Sequence, residues 1–463
     1  MTLRRLVLDL DDRLGVAPIL QKALRKAFPD NWSFMFGEIA LYCFLVLIAT
    51  GVYLGFFFDP STASVTYHGS DISLRNTPMS AAYASVLQLS LDTRAGLLLR
   101  QIHHWAALVF LAAIALHMSR IFFTGAFRRP RELNWIIGMT LLILAMAAGF
   151  TGYSLPDDLL SGTGLRIAYS VLLSIPLVGG YLAFLVFGGD FPTAQQISRL
   201  LFTHVLILPV LIAGAIAVHL AIIWRQKHTQ FRGPGRTERN VIGSPLWPNY
   251  AMKSLGLGLA VGAVLAGLGA FFQINPIWLY GPYHSYDVSA PAQPDWYIGW
   301  LEGALRLGPS WTISIWNHTI PSPFFPGILL PAAFFVLLYV WPFLERWVTH
   351  DGEPHQLLDH PSDSPVRTGI GAAVLTFAIV LTLAGSDDVQ ANILSTPLQG
   401  MVSAYRWLLV ILPIVVGLLS YQFARELRAR RQQLPAPDPR VMITRTDSGG
   451  FEEQPEPLAS TPP

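Results

Sequence analysis

The chain contains eight long apolar segments, and the connections between them carry charged residues, proline or glycine. About 20 helical residues cross the hydrocarbon core of a bilayer, and each segment is close to that length. The pattern predicts an all-α, polytopic membrane protein with eight transmembrane helices, approximately over Glu38–Phe58, Leu98–Phe123, Trp135–Tyr153, Leu200–Trp224, Ala251–Phe272, Gly327–Leu344, Gly369–Ala384 and Trp407–Phe423.

A ninth apolar segment, Ile167–Gly189, is interrupted by Pro176 and by Gly179 and Gly180. With eight helices, most of the 31 Lys and Arg residues lie on one side of the membrane, whereas a ninth would leave fewer than half of them there. Because basic residues favour the cytoplasmic side, the charges favour eight. We therefore expect both termini in the cytoplasm, and Ile167–Gly189 as a re-entrant or surface helix on the outer side.

Composition restricts the chemistry. Hydrophobic residues make up 52% of the chain and charged ones 13%, so lipid is its main solvent, and a net charge of +2 does not indicate a nucleic-acid partner. The one cysteine, Cys43, leaves no internal disulfide and no thiolate-held cluster or covalent haem. Any redox centre must therefore be held by histidine.

The two ends of the chain differ from the rest. Residues 1–34 mix charged and apolar positions without the uninterrupted core of a signal peptide, which predicts an amphipathic helix at the membrane interface. Residues 431–463 are rich in Pro, Ser, Thr and Glu and lack an apolar period, which predicts a disordered cytoplasmic tail.

Histidines lie inside two apolar segments, where an ionisable residue is costly and suggests a function. His103 and His117 are 14 residues apart, and His204 and His219 are 15 apart. At 3.6 residues per turn, each pair returns to within about 60° of one helix face at depths roughly 21 Å apart, whereas His104 lies nearly opposite His117. In the eight-helix topology both helices run in the same direction, so His103 faces His204 and His117 faces His219.

A single histidine in a membrane helix can also be a packing residue with a hydrogen-bonded partner. Two matched pairs without a carboxylate or thiolate nearby suit bis-histidine haem iron better than zinc. Glycines recur at the same 14-residue spacing in the first and third segments, at Gly37, Gly51, Gly138 and Gly152. A helix without a side chain there can approach the face of a haem, although glycine is also common where membrane helices cross. Arg100 would pair with a haem propionate or extend to the interface.

With these residues the chain resembles the cytochrome b family of cytochrome bc complexes, from about Trp32 to the last apolar segment. The resemblance rests on FGE with Gly37, LRQIH with His103 and His117, GYSLP from Gly152 to Pro156, the pair His204 and His219, and PDWY from Pro294 to Tyr297. It implies a haem-binding four-helix bundle over residues 35–232 and a C-terminal four-helix region with the PDWY loop over 233–430. It also implies two non-covalent haem b groups and proton-translocating quinol:cytochrome c reductase activity.

Several segments look actinobacterial, among them HHWAAL from His103, FFTGAFRRPRELNWIIG from Phe122, LPDDLLSGTGLRI from Leu155, QKHTQF from Gln226 and LLDHPSDSPVRT from Leu357. That branch is similar to menaquinol oxidases of the bacterial plasma membrane. The resemblance implies a Rieske iron–sulfur protein, a di-haem cytochrome c and a terminal oxidase as partners in one supercomplex, with the complex forming a homodimer.

The chain departs from mitochondrial relatives in three places. Its PDWY motif begins Pro-Asp where they have Pro-Glu, which shortens the carboxylate by one methylene. Its fourth-helix histidines are 15 apart where theirs are 14. Trp224 and Ser254 stand where those relatives have an inner His and Asp, so the proton donors of the inner quinone site cannot be carried over.

Quinol oxidation releases two protons, so the outer site needs a proton acceptor. We predict Asp295 as this base, with Tyr297 and Tyr153 positioning the quinol oxygen or relaying its proton, and Glu302 as a second acceptor if its segment is helical. PDWY alone would also fit an interfacial loop with aromatic anchors.

Proton donors at the inner quinone site are expected near the cytoplasmic boundary. Glu38, His228 and Lys253 lie there, although each is also an ordinary boundary residue. Two other functions fit parts of the pattern. A haem-b anchor of another oxidoreductase would be shorter and lack PDWY, and a proton-coupled transporter would show an internal repeat, which the sequence lacks.

Overall fold

The computed structural model describes residues 11–13, 15, 17–287, 293–316, 318–433, 441–445 and 451–455. Within them, eight helices are long and apolar enough to cross a membrane, as the pattern predicted. We number these membrane helices in chain order, and their bounds are Trp32–Gly55, Gly96–Phe123, Glu132–Tyr153, Gln196–Gln226, Leu246–Phe271, Phe325–Thr349, Pro365–Ala384 and Leu398–Gln433. Helices are the expected solution, since lipid offers the backbone no hydrogen-bond partner.

The segment Ile167–Gly189 does not form a ninth membrane helix. It folds as two short helices, Leu159–Leu173 and Gly179–Phe187, and the second ends at Gly188 in the left-handed conformation, with φ of 88°. Neither helix is long enough to cross a bilayer.

The first membrane helix packs against the second and the fifth, and the third packs against the fourth. Cys43, Ala106 and Leu265, from the first, second and fifth helices, are all buried in one apolar core. The seventh helix packs along the eighth and against a shorter helix, Trp296–Leu307. The helix Trp296–Leu307 lies very close to the seventh membrane helix, since a Cβ added at Gly303 would be 1.8 Å from the carbonyl oxygen of Leu381.

Short helices and strands fill the connections. Besides Leu159–Leu173, Gly179–Phe187 and Trp296–Leu307, the connecting α-helices include Ala81–Leu91 and Asp387–Ile393. The antiparallel strand pairs are Ala27–Phe28 with Ser244–Pro245, Ser64–Thr66 with Pro78–Ser80, and Ile313–Ile315 with His318–Ile320, and the parallel pair is Gln230–Phe231 with Leu357–Leu358.

Both ends differ in part from the expectation. The predicted interfacial helix has a described portion, Ala17–Leu24, while residues 1–10, 14 and 16 lie outside the described residues. In the predicted disordered tail, the eighth helix continues to Gln433, and Val441–Arg445 pairs with Phe451–Pro455 as antiparallel strands. These two strands are ordered because each supplies hydrogen-bond partners to the backbone N–H and C=O groups of the other. Residues 434–440, 446–450 and 456–463 lie outside the described residues.

Candidate functional site: two histidine pairs and the polar clusters beside them

The second and fourth membrane helices place their histidines in two facing pairs. The ring centroids of His103 and His204 are 6.2 Å apart with planes at 70°, and those of His117 and His219 are 6.5 Å apart at 69°. A ligating imidazole nitrogen lies about 2 Å from its metal, so one ion between two imidazoles separates the centroids by roughly 6 Å. Each pair has the separation that one shared metal ion requires.

Each pair offers two ligands and no third. Among the described residues, no three His, Cys, Asp or Glu side chains are grouped so that they could hold an ion. Zinc sites need three or four protein ligands, whereas haem iron takes only its axial ligands from the protein. The ligand count therefore fits haem.

A wide turn explains the 15-residue spacing in the fourth membrane helix. Residues Thr203–Ile207, which include His204, form a π-helical turn with bonds from residue i to i+5. Pro209, two residues after this turn, has no N–H to donate to the carbonyl of Val205. Because a π-turn absorbs one extra residue, His204 and His219 share a face as they would at a spacing of 14.

Hydrogen bonds at Nδ1 distinguish the pair expected on the outer side, His103 and His204, from the pair expected on the inner side, His117 and His219. In the latter pair, His219 has only a looser interaction with the backbone carbonyl of Asn134. Nδ1 of His103 lies 2.9 Å from Oγ1 of Thr50, and Nδ1 of His204 lies 3.0 Å from the carbonyl oxygen of Ala148. Nδ1 of His117 and of His219 is buried without a hydrogen-bond partner among the described residues. A partner on Nδ1 leaves Nε2 as the ligating atom and makes the ring more basic.

Each imidazole lies against a glycine of a neighbouring helix. A Cβ added to that glycine would lie at these distances from the imidazole Cε1: 2.5 Å for Gly152 and His204, 3.2 Å for Gly51 and His103, 3.2 Å for Gly37 and His117, and 3.9 Å for Gly138 and His219. Carbon atoms make ordinary contacts at about 3.5–4.0 Å, so a side chain at the first three positions would displace the ring.

An arginine whose unpaired nitrogens are buried accompanies each pair. Both Nη atoms of Arg100 donate to the carbonyl oxygen of Asn275 at 3.3 Å, while its Nε has no partner. Arg120, which sequence reasoning missed, stacks on the Phe34 ring at 4.2 Å and has two unpaired nitrogens, Nε and Nη2. It follows His117 by three residues, as Arg100 precedes His103 by three. Buried guanidinium groups need an anion, which haem propionates would supply.

At the outer end, Asp295 and a histidine that was not predicted to act there come together. Asp295 stands directly before the helix Trp296–Leu307, and its two carboxylate oxygens lie 2.8 and 3.0 Å from Nε2 of His104. The hydroxyl of Tyr297 donates to the same carboxylate at 3.1 Å. The doubled histidine at 103–104 was the only indication in the sequence.

This carboxylate lies near the outer histidine pair. A Cβ at Gly149 would be 2.4 Å from the hydroxyl oxygen of Tyr297, and Gly149 follows Ala148, which binds His204. Burial and the charge of Asp295 raise the pKa of Tyr297 well above its usual value. Tyr153 also interacts electrostatically with Asp295. The two tyrosines and the acid named from the sequence therefore form one cluster.

Glu302 lies in a helix, as its expected role required, but it belongs to a separate ion cluster. Its Oε1 accepts a hydrogen bond from Nη2 of Arg306 at 2.7 Å, and Arg306 also binds Asp387 at 2.6 Å and Asp388 at 3.0 Å. Burial raises the pKa of Glu302, while the charge of Arg306 opposes that rise. The arginine therefore competes with any proton for this carboxylate.

At the inner end, Glu38 reaches across to the fifth membrane helix. Its carboxylate accepts hydrogen bonds from Tyr250 and from Ser254, and Tyr42 also contacts the Ser254 hydroxyl at 2.9 Å. Gly37, next to Glu38, lies against His117. A carboxylate of the first membrane helix is thus bonded to Ser254 of the fifth.

The other two predicted inner residues lie elsewhere. Lys253 is exposed and binds Asp30 at 2.9 Å, so it faces solvent. The His228 ring packs against the Phe28 ring, with centroids 4.8 Å apart. Burial, together with nearby basic residues, lowers the pKa of His228 to about 4.

The chain is similar to several known proteins. A family model described as cytochrome b (N-terminal)/b6/petB matches residues 108–282. The chain is 50% identical over 452 residues to the cytochrome bc1 complex cytochrome b subunit of Mycobacterium leprae, which covers 97% of this chain and 82% of the relative. It is 45% identical over 450 residues to the subunit of the same name from Streptomyces coelicolor, covering 97% and 83%.

A solved structure titled hyperthermophilic respiratory Complex III has the same fold. It matches with a TM-score of 0.67 at 22% identity, over 90% of this chain and 99% of the other.

Proposed function

Because the chain belongs to the cytochrome b subunits of actinobacterial cytochrome bc1 complexes, which are subunits of quinol–cytochrome c oxidoreductase, we propose that it oxidises menaquinol at an outer site and reduces quinone at an inner one. The electron transfer would be coupled to proton translocation. The observation that carries this proposal is the two histidine pairs at separations of 6.2 and 6.5 Å on the same two helices.

Two haem b groups fit these pairs as bis-histidine cofactors. His103 with His204 and His117 with His219 would be the axial ligands, with glycine backbone beside each ring and Arg100 and Arg120 available to the propionates. When bound, the haems would carry electrons between the two sides of the membrane.

The outer site needs a base, and the Asp295 carboxylate supplies it. His104 and Tyr297 hold both carboxylate oxygens in place, so the group is oriented before quinol arrives. We propose that Tyr153, which interacts electrostatically with Asp295, positions the second quinol oxygen. Once Asp295 has accepted a proton, His104 provides the next hydrogen-bonded nitrogen for its departure.

The inner site needs proton donors, and Glu38 is the best placed of the three residues named from the sequence. Its hydrogen bonds to Tyr250 and Ser254 connect it to the cytoplasmic end of the fifth helix. The exposed ion pair of Lys253 would deliver protons from solvent, whereas buried His228 is neutral at pH 7.

The family also suggests the setting. We place the chain in the bacterial plasma membrane with both termini in the cytoplasm, in agreement with its basic connections. We propose that its partners in the complex are a Rieske iron–sulfur protein and a di-haem cytochrome c, with a terminal oxidase in a supercomplex and two copies of the complex as a dimer.

Haem counting tests the proposal. The wild-type complex should show two b-type haems per chain in reduced-minus-oxidised spectra, and His117→Leu should keep only the outer one because each iron needs a histidine from both helices. His104→Leu is the matched control and should keep both haems. Two unperturbed b haems in His117→Leu would contradict the assignment.

A further inference from the structure

Two adjacent acids at the outer end of the third membrane helix are buried and only partly bonded. Asp157 and Asp158 are 7% and 0% exposed. One oxygen of Asp158 accepts a hydrogen bond from the hydroxyl of Ser161 at 2.6 Å, while Oδ2 of Asp158 and Oδ1 of Asp157 have no partner among the described residues. A buried carboxylate oxygen normally has a partner, so both atoms call for an explanation.

Other unpaired polar atoms belong to the segments around these acids. The backbone N–H of Tyr283 donates to the carbonyl of Asp157 at 3.1 Å, yet the Tyr283 hydroxyl is buried without a partner. Arg100 interacts electrostatically with Asp158, and its Nε is likewise unpaired, as is Oδ1 of Asn275, the residue to which Arg100 donates. Unpaired donors and acceptors in one region are the partners that ordered water takes up.

Tyr153 connects this region with the outer quinol site. It interacts electrostatically with Asp158 on one side and with Asp295 on the other. Asp158 stands five residues after Tyr153, in a connection that bridges to Pro282 and so to the segment that leads to Asp295. A tyrosine hydroxyl can donate and accept a proton at once, which is what a relay requires.

We propose that Asp158, together with Asp157, is the second proton acceptor of the outer site and receives its proton from Tyr153 through ordered water. This inference rests on the proposed quinol oxidation. The Tyr153 O–H bond breaks as the hydroxyl takes up the proton of the second quinol oxygen, and the Asp158 carboxylate becomes a carboxylic acid. The two electrons would pass to the iron–sulfur partner and to the haem that His103 and His204 would hold, so no further oxidant is needed. Asp157, which retains slight exposure, then passes the proton to outer water.

The environment suits a proton that is taken up and released again. Burial raises the pKa of both acids to about 6, and the hydrogen bond from Ser161 opposes this at Asp158. The Ser80 hydroxyl is a hydrogen-bond partner of Asp157. The charged and titratable groups that interact electrostatically with the pair are Arg100, Tyr83, Tyr153, Tyr280 and Tyr283. At pH 7 the pair is mostly ionised and can accept a proton.

A purely structural role for Asp158 would need only the oxygen that Ser161 binds and not the unpaired one. Asp158 precedes the helix Leu159–Leu173, and the hydrogen bond that it accepts from the Ser161 hydroxyl lies in the first turn of that helix. Asparagine keeps an oxygen for that bond. Asp158→Asn therefore removes the proton acceptor and preserves the helix start.

The test measures quinol:cytochrome c turnover of the assembled complex as a function of pH. We expect Asp158→Asn to lower turnover about tenfold above pH 6, since a positioned proton acceptor contributes at least this much. Below pH 6 the ratio of wild-type to variant turnover should approach one, because Asp158 is then protonated in the wild type as well. Asp157→Asn should show the same pH-dependent ratio, which keeps the test decisive if Asp158→Asn fails to assemble.

The controls separate this inference from the proposed function. Asp92→Asn makes the same change at an exposed outer acid and should leave turnover unchanged at every pH. Unchanged turnover in Asp158→Asn and Asp157→Asn, or a loss that is equal at all pH values, would overturn the relay. If Asp295→Asn still loses its activity in that case, the proposed quinol oxidation stands. If Asp295→Asn is also fully active, the proposed outer site itself is wrong.

Discussion

The outer and inner halves of the histidine-bearing bundle have nearly the same ligand geometry but different surroundings. The pair separations differ by only a few tenths of an ångström, yet the outer imidazoles have hydrogen-bonded Nδ1 atoms and the inner ones do not. A different acid also lies in each half: Asp295 is hydrogen-bonded to His104 in the outer half, and Glu38 to Ser254 in the inner half. Two helices with regular spacing set where the two histidine pairs lie, while the connecting segments set which polar groups lie beside each pair.

The largest expected effect comes from the same acid-to-amide change in the two halves. Asp295→Asn removes the outer base with little change in volume, so quinol oxidation should fall by about two orders of magnitude, or about 2.7 kcal/mol of barrier. Reduction of the haems by quinol through the inner site should persist. Glu38→Gln should instead slow that inner reaction and spare the outer one.

Rapid-mixing measurements of haem reduction, with each site inhibited in turn, distinguish these two outcomes. Asp295→Glu serves as the control for Asp295→Asn and should be mild, because the longer carboxylate keeps the base. Equal effects of Asp295→Asn and Glu38→Gln at both sites would contradict the assignment of Asp295 to the outer reaction and Glu38 to the inner one.

A smaller effect is expected from glycine substitutions at matched positions. Gly152→Ala places a Cβ 2.5 Å from the His204 ring, which is fixed by its bond to Ala148, and such overpacking costs about 1–3 kcal/mol. Haem affinity at the outer site should therefore fall roughly tenfold or more. Gly138→Ala places its Cβ at 3.9 Å and should retain two haems. The haem content of the two purified variant complexes tests this difference. Equal haem retention in both variants would show that the two glycines are equivalent.

The smallest effect concerns the outer hydrogen bonds. The Thr50 hydroxyl donates to the carbonyl of Val46 and so accepts from Nδ1 of His103, which makes that ring more basic. Thr50→Val removes this bond and should raise the midpoint potential of the outer haem. A bond worth about 1 kcal/mol corresponds to about 40 mV for one electron. Redox titration should find the inner haem unchanged, and a shift of the inner haem alone would reverse the assignment of the pairs.

The sequence alone determined the eight membrane helices and the facing histidines. Both follow from local rules, because lipid leaves the backbone no partner outside a helix and the 3.6-residue period fixes which side chains share a face. The sequence also marked Asp295, Tyr297 and Glu38 as ionisable groups at the right ends of helices. It did not reveal Arg120, although its distance from His117 mirrors that of Arg100 from His103.

Only the tertiary structure decided which polar groups meet. The bond between His104 and Asp295 joins residues 191 apart, and the bond between Glu38 and Ser254 joins residues 216 apart. No local period encodes such pairings, because they depend on how the connections fold over the helix ends. The same reason explains why the ion pair between Glu302, named as a second acceptor, and Arg306 became visible only in three dimensions, as did the π-turn at His204.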